Sequence, residues 1–280
     1  MREIDVADGI LAWDVVDLTP PWQAAPDTVV LHHGLGTSAD MWSEWLPRLA
    51  ARHRVVRFDM RGCGRSSPLK QAATLSLELF RDDVLAVADA AGVQRFHLIG
   101  ESFGGTVALF TGATCRERLL SVSTISSPHR GAQMRILEGW QELADSPESI
   151  RAWSERMMAY RFFDGAVPLD ALNWFRVLQD RTDPALVRAV AQLVSKLDLT
   201  PLLRGLDLPA LLLAPDSSPF VEAELVAELH GILLASSLQI FAGTRHGLAF
   251  SHAAACADLF QAFSAALSST NTASTAGTAI

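Results

Sequence analysis

Apolar residues along this chain fall into short blocks separated by polar, glycine-bearing stretches, and the spacing inside each block gives its structure. Four of the five residues in 96–100 (Phe-His-Leu-Ile-Gly) suit a buried strand, and a run of small residues behind it, 105–112, has helical character. Upstream, Ile10, Leu11, Trp13, Val15 and Val16 mark a strand over 9–17 that pairs with the segment around Ile4 to Val6. Pro20, Pro21 and Pro26 then enforce a turn. Residues 28–32 are a β-branched run suited to a strand covered on both faces, and 54–59, 119–125, 209–214 and 238–241 read as further strands. Between them, helical spacing appears in Trp42, Trp45, Leu46 and Leu49 behind an N-cap at Ser38. It recurs in Leu77, Phe80, Val84, Val87, Ala88 and Ala91, in Leu225 and Leu229, and in Leu259, Phe260, Phe263 and Leu267. Strand and helix alternate several times, the signature of a parallel sheet with right-handed crossovers.

The rhythm changes over 131–204. Ile136, Trp140, Leu143, Trp153, Met157, Met158, Tyr160, Phe162, Phe163, Trp174 and Phe175 are separated by charged residues and show no strand period. Short amphipathic helices fit this pattern, and an all-helical insertion of that length is expected to sit as a cap over the sheet edge. The expected organisation is a core domain over 1–130 and 205–267, a helical cap over 131–204, and a disordered tail over 268–280, where Ser, Thr, Ala and Gly dominate and no aromatic residue occurs.

The chain has 280 residues, 49% of them hydrophobic, enough for one large α/β domain with an insertion. Its formal net charge of -8, with no basic cluster, argues against a nucleic-acid partner. Cys63, Cys115 and Cys256 are odd in number and widely spaced, which suggests neither a disulfide framework nor a metal site. Residues 1–10 carry acidic groups and no apolar run of signal length, and no apolar run spans a membrane, so a cytoplasmic location is expected. The partners expected are a small-molecule substrate and at most a second copy of the chain, with no cofactor.

Chemistry concentrates after the strand at 96–100. Gly100-Glu101-Ser102-Phe103-Gly104 places a serine between two glycines at a strand-to-helix turn, a bend tight enough to strain the serine backbone and lift its hydroxyl clear of the sheet. A serine hydroxyl needs a neighbouring base, and the base needs an acceptor that fixes its tautomer. Among the histidines, His246 follows the last strand in a loop ending at Gly247, whereas His230 lies inside a helix; His252 is a rival base and His129 is assigned to pocket lining. Asp216, after the strand at 209–214, is the candidate acid, with Glu222 and Glu224 poorer choices in the next helix, and no Asp or Glu occurs over 119–137. Backbone amides of Leu35, in His33-Gly34-Leu35-Gly36, and of Phe103 are the candidate oxyanion donors. Trp140 and Trp153 join His129 as candidate substrate-pocket residues.

These motifs resemble the α/β-hydrolase superfamily over nearly the whole chain up to its tail. His33-Gly34-Leu35-Gly36 resembles the family's oxyanion loop, and Asp59-Met60-Arg61-Gly62-Cys63-Gly64-Arg65-Ser66 its Asp-x-Arg-Gly-x-Gly-x-Ser scaffold loop; Ser102 and His246 fall on the nucleophile and base. The resemblance is strongest to the enol-lactonase, esterase and carbon-carbon-bond hydrolase branch. It implies a mostly parallel, doubly wound α/β-hydrolase sheet with a helical cap inserted late. The implied activity is serine-dependent hydrolysis of a carboxylic ester or lactone. Cleavage of a ring-fission diketone, or a ligand-binding homologue without turnover, are the alternatives. One position departs from the pattern: aligned through Pro219, the family's acid falls on Ser218, and Asp216 stands two residues early, so a local shift of the loop is expected to aim its carboxylate at His246. If the substrate carries a carboxylate, as an enol-lactone would imply, Arg130, Arg135 or Arg161 is the expected partner.

Overall fold

A computed structural model describes every residue except 24, 70–74, 132–133, 135–136 and 277–280, so Arg135 and Ile136 lie outside the described residues. The strands are β1 (Arg2–Val6), β2 (Gly9–Val16), β3 (Thr28–His32), β4 (Arg54–Phe58), β5 (Phe96–Glu101), β6 (Leu119–Ile125), β7 (Ala210–Pro215) and β8 (Ser236–Phe241). They form one eight-stranded sheet in the order β1-β2-β4-β3-β5-β6-β7-β8. Only β1 with β2 and β2 with β4 pair antiparallel; every later pair is parallel. The fold is therefore the mostly parallel, doubly wound sheet expected.

The helices in chain order are α1 (Leu46–Leu49), α2 (Leu77–Ala90), α3 (Phe103–Thr114), α4 (Glu138–Gln141), α5 (Pro147–Arg161), α6 (Leu169–Gln179), α7 (Pro184–Ser195), α8 (Thr200–Leu203), α9 (Ala223–Ile232), α10 (Leu248–Ser251) and α11 (Ala253–Ala276). Because β3 is buried along its whole length, successive side chains feed opposite cores. Val30 packs with Val56, Leu98 and Phe80, on the face carrying α2 and α3. Val29 and Leu31 pack with Trp42, Trp45, Leu49 and Phe260, on the face carrying α1 and α11. The indole of Trp45 donates to the Ala249 carbonyl at 2.8 Å, tying α1 to α10.

Two expectations differ from the structure. The helical run behind Ser38 divides into a 3-10 turn, Ala39–Trp42, capped by the Ser38 hydroxyl, and the short α1. Pro47 sits in the first turn of α1; it cannot donate within a longer helix and its ring would clash with the preceding turn. The tail, expected to be disordered from 268, continues α11 through Ala276.

Between β6 and β7 the described chain holds helices and one isolated antiparallel bridge, Arg130 with Asp198. Ser146 caps α5 by accepting from the Ser149 amide at 3.1 Å, Asp183 caps α7 by accepting from the Ala185 amide at 2.8 Å, and both helices open on a proline. Trp153 and Met157 on α5 and Val187, Val190 and Val194 on α7 join the core on the α3 side. The insertion thus roofs the carboxyl ends of β3, β5 and β6, the edge where parallel sheets collect functional loops.

Candidate active site

Ser102 adopts φ 53° and ψ -121°, a left-handed conformation rare for a residue with a Cβ, at the junction of β5 and α3. Strain of this kind amounts to roughly 1–3 kcal/mol and persists only where surrounding contacts enforce it. Here the Ser102 amide donates to the Ile125 carbonyl at 2.9 Å, while the Gly105 amide donates to the Ser102 carbonyl at 3.0 Å. The flanking glycines are steric requirements: a Cβ on Gly100 would meet the backbone of Gly104, and one on Gly104 the carbonyls of His32 and His33. The sequence motif and the strained serine are one feature.

His246 arrives in the loop after β8 and is buried. Its Nε2 lies 2.9 Å from Ser102 Oγ. Phe220 packs edge-on against the imidazole with centroids 4.6 Å apart. Burial first, and the Arg161 charge second, push its pKa well below the ordinary histidine value, so the ring is neutral at physiological pH. Nδ1 faces Ser218 Oγ at 3.2 Å.

Asp216 therefore does not stand behind the imidazole as expected. Its carboxylate is exposed and accepts the Gly243 amide at 2.8 Å and the Thr244 amide at 3.2 Å, stapling the turn after β8 to the end of β7. These bonds hold its pKa below the usual aspartate range. The chain turns back after Asp216, so the position two residues on, Ser218, is the one that points inward and is buried. Glu222 and Glu224 are exposed at the start of α9. The rival base His252 bonds Ser251 Oγ at 2.9 Å, and His230, in α9, bonds Ser236 Oγ at 2.7 Å.

The loop after β3 is set by His33. Its Nδ1–H donates to the Gly34 carbonyl at 2.8 Å and its Nε2 accepts the Met60 amide at 2.8 Å, a neutral ring bridging two loops. Asp59 accepts the amides of Ala39 at 2.7 Å and Arg65 at 2.8 Å, a scaffolding role. Leu35 and Phe103 both line the pocket with Ser102 and His246. As the first residue of α3, Phe103 has an amide with no partner inside its helix, as an oxyanion donor requires.

A buried ion pair lies beneath this loop. Arg161, on the last turn of α5, donates from Nη1 to Glu101 Oε1 at 3.2 Å, from Nη2 to the Leu35 carbonyl at 2.8 Å and from Nε to Gln179 Oε1 at 3.2 Å. Glu101 is 1% exposed and Arg161 5%. Burial pushes the Glu101 carboxyl up, opposed by Arg161 and by the Gly34 amide. From sequence alone Arg161 is only a candidate partner for a substrate carboxylate, and Glu101 has no assigned role. The available signal was a charged residue inside an otherwise apolar strand-turn motif, which demands a buried cation.

The pocket over Ser102 is lined by Leu35, Phe103, Met134, Leu137, Trp140, Met157, Val190, Val194, Phe220 and Val221, with Arg161 as its one charged wall residue among the described residues. It leaves about 40 Å³ free to water-sized molecules. Trp140 is among its lining residues. Trp153 stands behind Trp140, with ring centroids 5.6 Å apart, and packs over Gly36. His129 is not a wall residue; it is buried, with Nε2 3.8 Å from Glu228, which also pairs with Arg130. A larger cleft of about 690 Å³, between α6 and the loop at Gly62–Ser66, includes neither Ser102 nor His246.

A strained serine at a strand-to-helix turn, met by an imidazole from the far end of a mostly parallel sheet, defines the α/β-hydrolase class. The chain belongs to that family: the model described as "alpha/beta hydrolase fold" matches residues 27–253. Among curated proteins, it is 31% identical over 197 residues to a pimeloyl-[acyl-carrier protein] methyl ester esterase from Aeromonas hydrophila, covering 66% of this chain and 74% of that one. It is 31% identical over 121 residues to 3-oxoadipate enol-lactonase 1 from Acinetobacter baylyi, covering 43% of each chain. The matched stretch thus spans less than half the length of that lactonase. Among solved structures, an enol-lactonase from Burkholderia xenovorans superposes with a TM-score of 0.83 at 21% identity over 94% of this chain and 99% of that one. Among the described residues, no helix is long and apolar enough to cross a membrane.

Proposed function

We propose that the protein hydrolyses a neutral carboxylic ester or lactone through an acyl-enzyme on Ser102. The reading is carried by the 2.9 Å approach of Ser102 Oγ to His246 Nε2 at the floor of an apolar pocket. Ser102 Oγ attacks the carbonyl, its proton passes to Nε2, and the amides of Leu35 and Phe103 receive the charge developing on oxygen. His246 then returns the proton to the leaving oxygen, and water attacks the acyl group by the same route in reverse.

The pocket also speaks to substrate class. Arg161 directs three of its five donors to Glu101, Leu35 and Gln179, and the Glu101 carboxylate offsets its charge. Arg130 is committed to Glu228. Among the described residues neither is left as a dedicated carboxylate receptor, which supports an apolar rather than anionic acyl group against Trp140, Met157 and Phe220. The test is a fluorophosphonate probe with a panel of aryl esters: Ser102 becomes labelled and the esters are cleaved, and Ser102→Ala loses both. Folded protein that never takes up the probe, or that cleaves esters equally well without Ser102, refutes the proposal.

A further inference from the structure

Resting on that reading, we infer that Ser218 holds the His246 imidazole with its proton on Nε2, facing Ser102, so that nucleophile and base are in place but the proton is on the wrong side. The inference comes from counting donors around one hydroxyl. Ser218 Oγ accepts the amide of Phe220 at 3.2 Å and that of Val221 at 3.1 Å. A hydroxyl has two lone pairs and one hydrogen, so its acceptor capacity is then filled and what remains is a donor. Its third neighbour is His246 Nδ1 at 3.2 Å. The hydrogen goes there, which makes Nδ1 an acceptor and leaves the ring proton on Nε2.

The consequence follows 2.9 Å away, at Ser102 Oγ. A base must present a lone pair to the serine hydroxyl, yet this ring presents N–H, and Ser102 accepts where it should donate. A carboxylate at position 218 has no hydrogen to give. It would take the two amides and still require Nδ1–H, freeing the Nε2 lone pair. Position 218 also lacks the charge that would steady an imidazolium, and the Arg161 charge opposes one. Ser218 is thus a positioning residue that keeps geometry and withholds the productive tautomer. In the serine-protease example, replacing the acid by its amide keeps the geometry and lowers turnover about ten-thousandfold through the same error of tautomer. Turnover in this chain is limited by the fraction of molecules whose imidazole carries its proton on Nδ1.

The test reads tautomer and rate separately. Protein labelled with 15N-histidine gives the ring tautomer directly, with His246→Gln assigning the resonance. The expected spectrum shows Nε2–H in the natural chain and Nδ1–H in Ser218→Asp. Ser218→Asp is also expected to acylate with the fluorophosphonate probe roughly 100-fold faster or more, and Ser218→Asn, equal in size but able to donate, to give less than a tenth of that gain. Nδ1–H in the natural chain overturns the inference whatever the rates, and that spectrum decides the matter even if Ser218→Asp does not fold. Nδ1–H in Ser218→Asp without a gain in rate overturns the claim that the tautomer limits turnover. If the tautomers are as inferred but no variant ever labels Ser102, the hydrolase reading fails while the assignment at Ser218 stands.

Discussion

Replacing Arg161 by methionine removes the cation beneath the oxyanion loop while keeping most of the side-chain volume. Three bonds vanish together, to Glu101, to the Leu35 carbonyl and to Gln179. The dominant loss is electrostatic: Glu101 is 1% exposed and would be left charged without a partner. Breaking a buried pair from one side is expected to lower stability by about 3–5 kcal/mol, far above the value of a surface pair. Glu101 escapes part of the penalty by taking up a proton, since burial already favours its neutral form. A carboxyl whose folded pKa is raised stabilises the folded state as pH falls, so the variant deficit is smaller at pH 5 than at pH 7. Urea unfolding of the natural chain, Arg161→Met, Glu101→Gln and the double variant at both pH values checks the sign and size. The double variant, with no charge left to strand, should recover at least about 2 kcal/mol of the Arg161→Met loss. A loss under about 1 kcal/mol at pH 7, or a double variant no better than the single, refutes the reasoning.

Acid should destabilise the fold well before its carboxylates titrate. Burial lowers His32 to about 3 and His53 to about 4, so both stay neutral in the folded chain while the unfolded chain takes up protons below about 6.5. Their stabilising effect is complete above that value and lost as pH falls. At pH 5 each contributes about 2 kcal/mol less than at pH 7, read as a falling melting temperature; a melting temperature flat from pH 7 to 5 contradicts this. Asp216→Asn should change the rate of Ser102 labelling less than twofold, because that carboxylate serves the Gly243 and Thr244 amides; a tenfold loss would return Asp216 to the mechanism. Phe220→Ala removes a ring packed on His246, Trp140 and Tyr160, lowers stability by about 3–5 kcal/mol and shifts preference toward longer acyl esters; an unchanged ester profile argues against Phe220 as a wall of the acyl site.

The strands and the elbow were legible in the sequence because each rests on local rules. Alternation places Val29 and Val30 on opposite faces, and glycines at 100 and 104 go with a bend no other residue fits. The position of His246 followed from chain order. The partner of its Nδ1 did not, because a loop that turns back by two residues exchanges an exposed Asp216 for a buried Ser218, and no periodicity records that turn. Arg161 was illegible for a different reason: in the last turn of an amphipathic helix a cation reads as a solvated charge complementing the helix end. Only the packing of α5 over β5 brings it to Glu101.

Among the described residues the chamber above Ser102 leaves about 40 Å³ free to water-sized molecules, with Met157 of α5 and Val190 and Val194 of α7 in its wall. A ligand larger than that space calls for an outward shift of α5 and α7, and the observed association rate is then expected to level off with rising ligand concentration at the rate of that opening; a rate that keeps rising in proportion refutes it.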